Sequence, residues 1–273
     1  MTHLSQHDPR AAALTGALGA HAVDVRLYDT VDSTNTRAKQ DAATLSGPTL
    51  YLARTQTAGR GRMGRSFHSP ADTGLYMTLA IPTDRPLGEI VRMTALAAVA
   101  TTAAVEDLTG KHPAIKWVND LYLYERKLAG ILTEAVTRPD SLACLVIGLG
   151  LNLTTTAFPP ALSTTATALF SPDEADALTP TLVGTLVGTL AGTVTRTLLD
   201  CFSDPCPTVR GESCLSFYRR HLLWQGVPVT CTRGRETFIG TLYGVDEDYN
   251  LLLDTPTGQR ALSSGEITVR PLT

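Results

Sequence analysis

Thr55-Gln-Thr-Ala-Gly-Arg-Gly-Arg-Met-Gly-Arg65 concentrates three glycines and three arginines in the seven residues Gly59 to Arg65. Glycine permits positive φ and close backbone approach, and the guanidinium forks of Arg60, Arg62 and Arg65 suit phosphate or carboxylate. The run reads as an anion-binding loop. Alone, it is equally compatible with a flexible basic surface loop or an arginine–glycine nucleic-acid segment. Its neighbours narrow the choice: Thr49–Arg54 reads as a strand entering the loop and Gly74–Ile81 as a strand returning from it.

Upstream, Val23–Tyr28 alternates apolar and polar residues like a half-buried strand, and Asp29–Asn35 supplies turn and cap chemistry. Ser33 and Thr34 thus sit where a strand becomes a helix over Asn35–Ala43, either as caps or as ligand-binding hydroxyls. Downstream, Pro86–Leu108 has helical periodicity and stops at Gly110. From Ala114 short strands alternate with turns at Asn119-Asp120 and Glu125–Lys127, and a gap at 138–141 precedes the apolar run Leu142–Leu151. That run closes on Gly148-Leu-Gly-Leu-Asn152, where two glycines allow a ligand near the backbone. Thr154–Ala177 reads as loop with a short helix, Thr179-Pro180 opens a long helix, and Glu212–Leu223 is a last one. The Thr-Leu-x-Gly repetition in Thr181–Thr193 has no explanation from sequence. Five short strands in Gly226–Thr273 predict a small β-barrel. The fold class is therefore α+β, a mixed sheet with helices followed by a barrel, with an arm or frayed helix over 1–22, a main domain over 23–224 and a second over 225–273.

The 273 residues carry a net charge of −3 with 43% hydrophobic and 18% charged residues, so nothing draws the whole chain to DNA or an anionic membrane. Ala177–Thr195 is too rich in threonine for a membrane span. Cys144, Cys201, Cys206, Cys214 and Cys231 are odd in number, contain no Cys-x-x-Cys pair and follow no signal-peptide pattern, which fits a reduced cytoplasmic setting. The spacing of Cys201, Cys206, Cys214 and His221 is too irregular to favour zinc.

The remaining candidates are Ser33-Thr34, Lys116-Trp-Val-Asn-Asp120, Lys127 with Gly130, and Gly148/Gly150/Asn152. Two lysines and several arginines around one carboxylate suit phosphoryl or nucleotidyl transfer, with Asp120 available to magnesium. Taken singly, Lys127 reads first as a solvated turn lysine. No Walker loop, Gly-x-Ser-x-Gly or His-Glu-x-x-His is present.

Asp32-Ser-Thr-Asn35, Gln56 with Ala58-Gly-Arg-Gly-Arg-Met-Gly-Arg65, Lys116-Trp-Val-Asn-Asp120, Arg126-Lys-Leu-Ala-Gly-Ile131 and Gly148-Leu-Gly-Leu-Asn152 together resemble the ordered motifs of biotin–protein ligases, also called biotin–[acetyl-CoA-carboxylase] ligases. The resemblance runs from about Val23 to Arg270 and is weakest over Thr154–Val209. It implies a catalytic domain similar to class II aminoacyl-tRNA synthetases, an SH3-like barrel, and a form without the repressor members' N-terminal DNA-binding domain. It also implies that biotin and Mg-ATP give biotinyl-5′-adenylate and pyrophosphate, and that a lysine of a biotin carboxyl carrier domain then takes the biotin. Ser33, Thr34, Gln56, Gly59, Arg60, Gly130 and Gly148 would contact biotin. Arg62, Arg65, Lys116, Asn119 and Asn152 would serve the nucleotide, Lys127 and Arg62 would be catalytic, and Asp120 would hold magnesium or its water shell. The partner would be the carrier domain of a biotin-dependent carboxylase, with neither DNA nor membrane, and a homodimer stays open.

Two residues depart from the family pattern. Phe67 replaces the usual tryptophan, keeping an aromatic wall without an N–H, and Val118 replaces the usual proline, giving up a fixed φ. No residue is identified for stacking on adenine. The enzyme alternative is a lipoate–protein ligase, whose loop carries a different glycine pattern. The non-enzyme alternative, a nucleic-acid module using the arginine loop, is opposed by the acidic net charge and the lack of an aromatic-interleaved basic surface.

Overall fold

The computed structural model describes residues 8–86, 88–137, 139, 142–263 and 267–272. Helix α1 (Pro9–Leu18) is followed by β1 (Asp24–Val31), α2 (Thr34–Asp41), β2 (Thr49–Gln56) and β3 (Gly74–Pro82). Helix α3 (Glu89–Thr109) leads to β4 (Ala114–Lys116), β5 (Asp120–Leu123), β6 (Arg126–Thr137) and β7 (Leu142–Asn152). The expected gap at 138–141 lies outside the described residues except at 139. These strands form one sheet in the order β1-β2-β3-β7-β6-β5-β4, mixed because β1 and β2 run parallel and the other pairs antiparallel.

Strand β3 and its neighbour β7 lie at the centre, which explains their near-continuous apolar sequences: each faces packed elements on both sides. On one face lie α3 and α5 (Pro180–Ser203), reached through the short α4 (Pro172–Asp176). On the other lies α2, over a small cluster formed by Ala38, Tyr51 and Val146. Helix α3 ends where Gly110 adopts φ 68° and its N–H caps the Glu106 carbonyl. Thr179 caps α5 by accepting from the Leu182 N–H. Helix α5 is long and apolar enough to cross a bilayer, but Val187, Leu190, Val194 and Leu198 are buried in the core.

The first seven residues of the expected N-terminal arm lie outside the described residues, and the rest differs from a loose arm. Asp8 caps α1, and Leu14 and Leu18 are buried against α5. The cause is the glycine repetition that the sequence left unexplained. Gly184, Gly188 and Gly192 recur every four residues along one face of α5, so α1 can approach its backbone. A Cβ at Gly188 would overlap the Arg10 carbonyl and stand 3.0 Å from Ala13 Cβ. Gly188→Ala should therefore lower stability by about 1–3 kcal/mol, despite alanine's better helix propensity of about 1 kcal/mol, because α1's backbone must retreat. A denaturant melt of the variant checks this; unchanged or raised stability would count against the docking.

After α5 come the paired β8 (Thr208–Val209) and β9 (Glu212–Ser213), then α6 (Cys214–Arg220), shorter than the helix expected over 212–223. The C-terminal unit is β10 (Pro228–Arg233), β11 (Glu236–Val245), β12 (Leu251–Thr255), β13 (Gly258–Leu262) and β14 (Ile267–Pro271), an antiparallel SH3-like sheet in the order β13-β12-β11-β10-β14. Alternation puts Val229, Cys231, Leu242, Leu251, Leu253 and Val269 inside. It is tied to the rest of the chain by Trp117, in the turn after β4, whose Nε1 donates to the Tyr249 carbonyl at 2.8 Å, and by Arg219 of α6, whose Nε donates to the Val245 carbonyl at 2.9 Å.

Candidate active site

A cleft with about 440 Å³ of empty space, part of it open to solvent, lies where β3, β6 and β7 face the start of α2 and the loop after β2. That loop is a closed strap. The Gly61 N–H donates to the Arg65 carbonyl at 2.7 Å and the Phe67 N–H to the Gly59 carbonyl at 2.9 Å. Met63 and Gly64 take positive φ at the tip, and the Met63 side chain is exposed.

One end of the cleft is lined by neutral hydrogen-bonding groups, with Arg60, paired to Glu134, as the one lining cation there among the described residues. Ser33 and Thr34 are buried there. Gln56 Oε1 accepts from the Thr34 backbone N–H at 2.9 Å and lies 3.2 Å from its hydroxyl, while Gln56 Nε2 donates to Ser69 Oγ at 3.0 Å. Behind them Asn35 donates to the Leu132 carbonyl at 3.1 Å and to Glu134 at 3.0 Å. Glu134 also receives Lys39 Nζ at 2.7 Å and pairs with Arg60 at 3.5 Å. Burial pushes the Glu134 carboxyl up, but Lys39, Asn35 and Arg60 outweigh it and hold it below its ordinary value of 4.5.

A carboxylate depressed on folding adds stability that is complete above its unfolded pKa and lost as pH falls through the folded one. Thermal stability should thus fall as pH drops below about 4.5. The fall should be shallower in Glu134→Gln, and melting temperature against pH for both proteins checks it.

The other end is cationic. Lys127 Nζ sits 2.7 Å from Asp120 Oδ1, and Arg62 Nη1 donates to Asn119 Oδ1 at 2.7 Å. Asn119 in turn donates to Asp120 at 3.0 Å and to the Ile131 carbonyl at 3.1 Å. Phe67 forms a wall, edge-on to Tyr76 with centroids 6.5 Å apart. A site graded from neutral hydrogen-bonding groups to cations can hold a ligand with an uncharged polar head and an anionic tail, and can stabilise negative charge at that tail.

The model of the biotin/lipoate A/B protein ligase family matches residues 27–152, and that of the biotin protein ligase C-terminal domain matches residues 226–270. The bifunctional ligase/repressor BirA of Bacillus subtilis is 32% identical over 97% of this chain and 78% of its own length. The chain belongs to the biotin protein ligase family. A biotin–[acetyl-CoA-carboxylase] ligase from Paracoccus denitrificans is 39% identical over 45% of this chain and 51% of its own. The biotin protein ligase of Aquifex aeolicus, solved with biotin and ATP, has the same fold: TM-score 0.68 at 23% identity, over 91% of this chain and 99% of that one.

Within that family fold, Ser33, Thr34, Gln56, Arg60, Arg62, Asn119, Lys127, Gly130 and Gly148 line the cleft. Gly59, Arg65, Lys116, Asp120 and Asn152 do not. Gly59 packs beneath the strap, where a Cβ would strike the Phe67 carbonyl and Ser69 Oγ. Lys116 Nζ lies 3.3 Å from Tyr122 Oη and 5.0 Å from the Trp224 ring centroid. Burial, together with the charges of Lys127, Arg270 and Arg65, lowers its pKa against the pull of Asp120.

Asn152 donates to the Thr167 carbonyl at 3.0 Å, and its buried Oδ1 has no partner among the described residues. The glycines of β7 leave less room for ligand than expected: a Cβ at Gly148 would overlap Asn35 Oδ1 and one at Gly150 the Phe67 ring. Asn35, Met77, Ile131, Leu132 and Leu149 also line the cleft. Asn35 stood in a quoted motif without a role, and the four apolar residues carry no signal that separates them from core.

Proposed function

We propose that the neutral end of this cleft binds the bicyclic head of biotin and the cationic end holds the carboxylate against the phosphates of ATP. The chain activates biotin to biotinyl-5′-adenylate and transfers it to a lysine of a carrier domain of biotin-dependent carboxylases. In the first step a carboxylate oxygen of biotin attacks the α-phosphorus and pyrophosphate leaves. In the second the ε-amine of the carrier lysine attacks the acyl carbon and AMP leaves.

Ser33, Thr34, Gln56 and Arg60 would hold the vitamin, with Gly130 and Gly148 beside its rings and Gly59 shaping the strap under Arg60. Lys127 and Arg62 would neutralise charge as the anhydride forms, with Asn119 orienting Arg62. Arg65 would reach the outer phosphates from the strap, and Lys116 would contribute to the nucleotide end through its charge. Asn152 Oδ1, a buried acceptor, would take an N–H on the nucleotide side. The observation that carries this reading is the gradient from Ser33–Thr34–Gln56 to Lys127–Arg62 within one cleft. A lipoyl head offers little to the hydrogen-bonding end, so lipoate ligation is disfavoured.

Magnesium belongs to this reading as a companion of ATP. Among the described residues no three His, Cys, Asp or Glu side chains gather into a metal site, and Asp120 Oδ1 is already held by Lys127 and Asn119. One carboxylate with substrate phosphates is a common way to hold this ion. The division at 23–224 and 225–273, and a cytoplasmic setting with its five cysteines reduced, complete the proposal.

Exchange of labelled pyrophosphate into ATP tests it: the purified chain should catalyse exchange with biotin and not with lipoate. Exchange with lipoate alone would overturn the substrate, and salt-sensitive RNA binding without exchange would overturn the enzyme.

A further inference from the structure

Between β7 and α4 the chain forms no helix or strand of its own, yet residues 165–169 lie bonded to both strands that meet at the nucleotide side. The Lys127 N–H donates to the Thr165 carbonyl at 2.8 Å, and the Lys127 carbonyl accepts from the Thr167 N–H at 2.9 Å. The Asn152 carbonyl accepts from the Leu169 N–H at 2.9 Å, while Asn152 Nδ2 donates to the Thr167 carbonyl at 3.0 Å. A backbone carbonyl can only accept, so Thr167 fixes the Asn152 amide with Nδ2 toward this strip. That leaves Oδ1, buried and unpartnered among the described residues, for a donor from elsewhere.

The strip is not supported on every side. Ala166, Thr167 and Phe170 border a hollow with about 1230 Å³ of empty space, part of it open to solvent, so packing cannot hold the strip from there. The Leu169 side chain is buried in the core, and the polar tether at the same residue is Lys111, in the turn after α3. An ammonium has three protons, and three acceptors surround this one: the Leu169 carbonyl at 2.8 Å, Glu174 Oε1 at 2.9 Å and Glu174 Oε2 at 2.7 Å. The Phe170 ring centroid lies 5.1 Å from the same Nζ. Glu174 is itself seated by the cap of α4, accepting from the Ser171 N–H at 2.7 Å. Leu169 is thus gripped at both polar groups of its backbone, the N–H by Asn152 and the carbonyl by Lys111.

We propose that Lys111 is a positioning residue for the nucleotide: by pinning Leu169 it holds the 165–169 backbone against Asn152, so that the Asn152 amide keeps its orientation and presents Oδ1 to ATP. This rests on the reading of Asn152 as a nucleotide-side group, and it deepens that reading with a residue that touches no ligand and lies outside every motif of the site. Freed from Lys111, the strip can drift into the hollow and take the Thr167 carbonyl away from Asn152 Nδ2. The amide then rotates, and the acceptor that meets the nucleotide is lost. The neutral end of the cleft is held by other groups, Gln56 through Ser69 and Asn35 through Glu134, so the effect falls on ATP and not on biotin.

A double-mutant cycle on Lys111 and Asn152, read by the ATP and biotin KM values of pyrophosphate exchange, separates this role from a structural one. Lys111→Met keeps the length and the contact with Phe170 but loses all three protons, and should raise the ATP KM about tenfold with the biotin KM and kcat little changed. In the Asn152→Ala background the same change should add nothing further. Lys111→Arg keeps donors for the carbonyl and the carboxylate and should restore the parent ATP KM. Glu174→Gln keeps the cap of α4 and drops only the charge. It should raise the ATP KM in the same direction by less, and it keeps the test valid if the methionine variant folds poorly. An ATP KM unmoved in both Lys111→Met and Glu174→Gln, equal rises in both KM values, additive losses in the cycle, or an arginine variant as weak as the methionine one would overturn the role of Lys111 while leaving biotin activation intact. A parent ATP KM in Asn152→Ala would overturn the nucleotide role of Asn152, and that of Lys111 with it. A parent chain without biotin-dependent exchange would overturn the function beneath both.

Discussion

Lys127→Ala should reduce biotin-dependent pyrophosphate exchange by about a hundred- to a thousandfold, the usual cost of losing one preorganised group that stabilises transition-state charge. Two effects act together. The ammonium that would meet the carboxylate and α-phosphate disappears, and Asp120, held at 2.7 Å in the parent, is left as an uncompensated negative charge beside an anionic substrate. Stability should barely move, because the Lys127 side chain is 37% exposed and such pairs are worth about 0–1 kcal/mol.

The contrast is the diagnostic feature: a large fall in turnover with an unchanged melting temperature. Lys127→Arg should recover little. Lys127 Cε and Nζ lie only 3.2 Å from where a Gly130 Cβ would stand, and a longer planar fork does not fit that seat. Exchange within tenfold of the parent in Lys127→Ala would remove Lys127 from the chemistry.

The strap and the central strands were legible because their causes are local. Glycine and arginine placed between two strand patterns specify a tight loop whatever surrounds it, and Leu142–Leu151 is apolar because β7 is covered on both faces. The docking of α1 was not legible, since nothing in Pro9–Leu18 names its partner. The glycines of α5 gain meaning only when α1 lies on them. Strand β6 starts inside the turn read at Glu125–Lys127, and its register with β7 brings Gly130 opposite Gly150 and Leu132 opposite Gly148.

Lys116 illustrates the same limit within the site. Residue type and proximity in sequence to Asn119 pointed it at a nucleotide, but β4 is the edge strand, and its ammonium rests against Tyr122 and Trp224. Which way a strand residue faces follows from pairing, and pairing between β4 and β5 is not written in either segment alone.

Gly148→Ala should raise the biotin KM by about a hundredfold, for a reason peculiar to this cleft. The added methyl does not meet empty space or a flexible chain end: it overlaps Asn35 Oδ1. Asn35 cannot yield, since its amide is committed to the Leu132 carbonyl, Glu134 and Thr78. Relief must come either from breaking that chain or from lifting the start of α2 away from β7, and both displace Ser33 and Thr34 from the neutral end. The cost in fold stability is that of overpacking, about 1–3 kcal/mol, which a protein of this size tolerates. The cost in binding is compounded, because the methyl also narrows the cleft beside the ligand. Steady-state exchange against biotin concentration measures it, with ATP KM as the internal control. A rise in both KM values by the same factor would mean general loosening of the sheet, whereas a rise for biotin alone places the Gly148–Asn35 contact at the vitamin's end of the cleft.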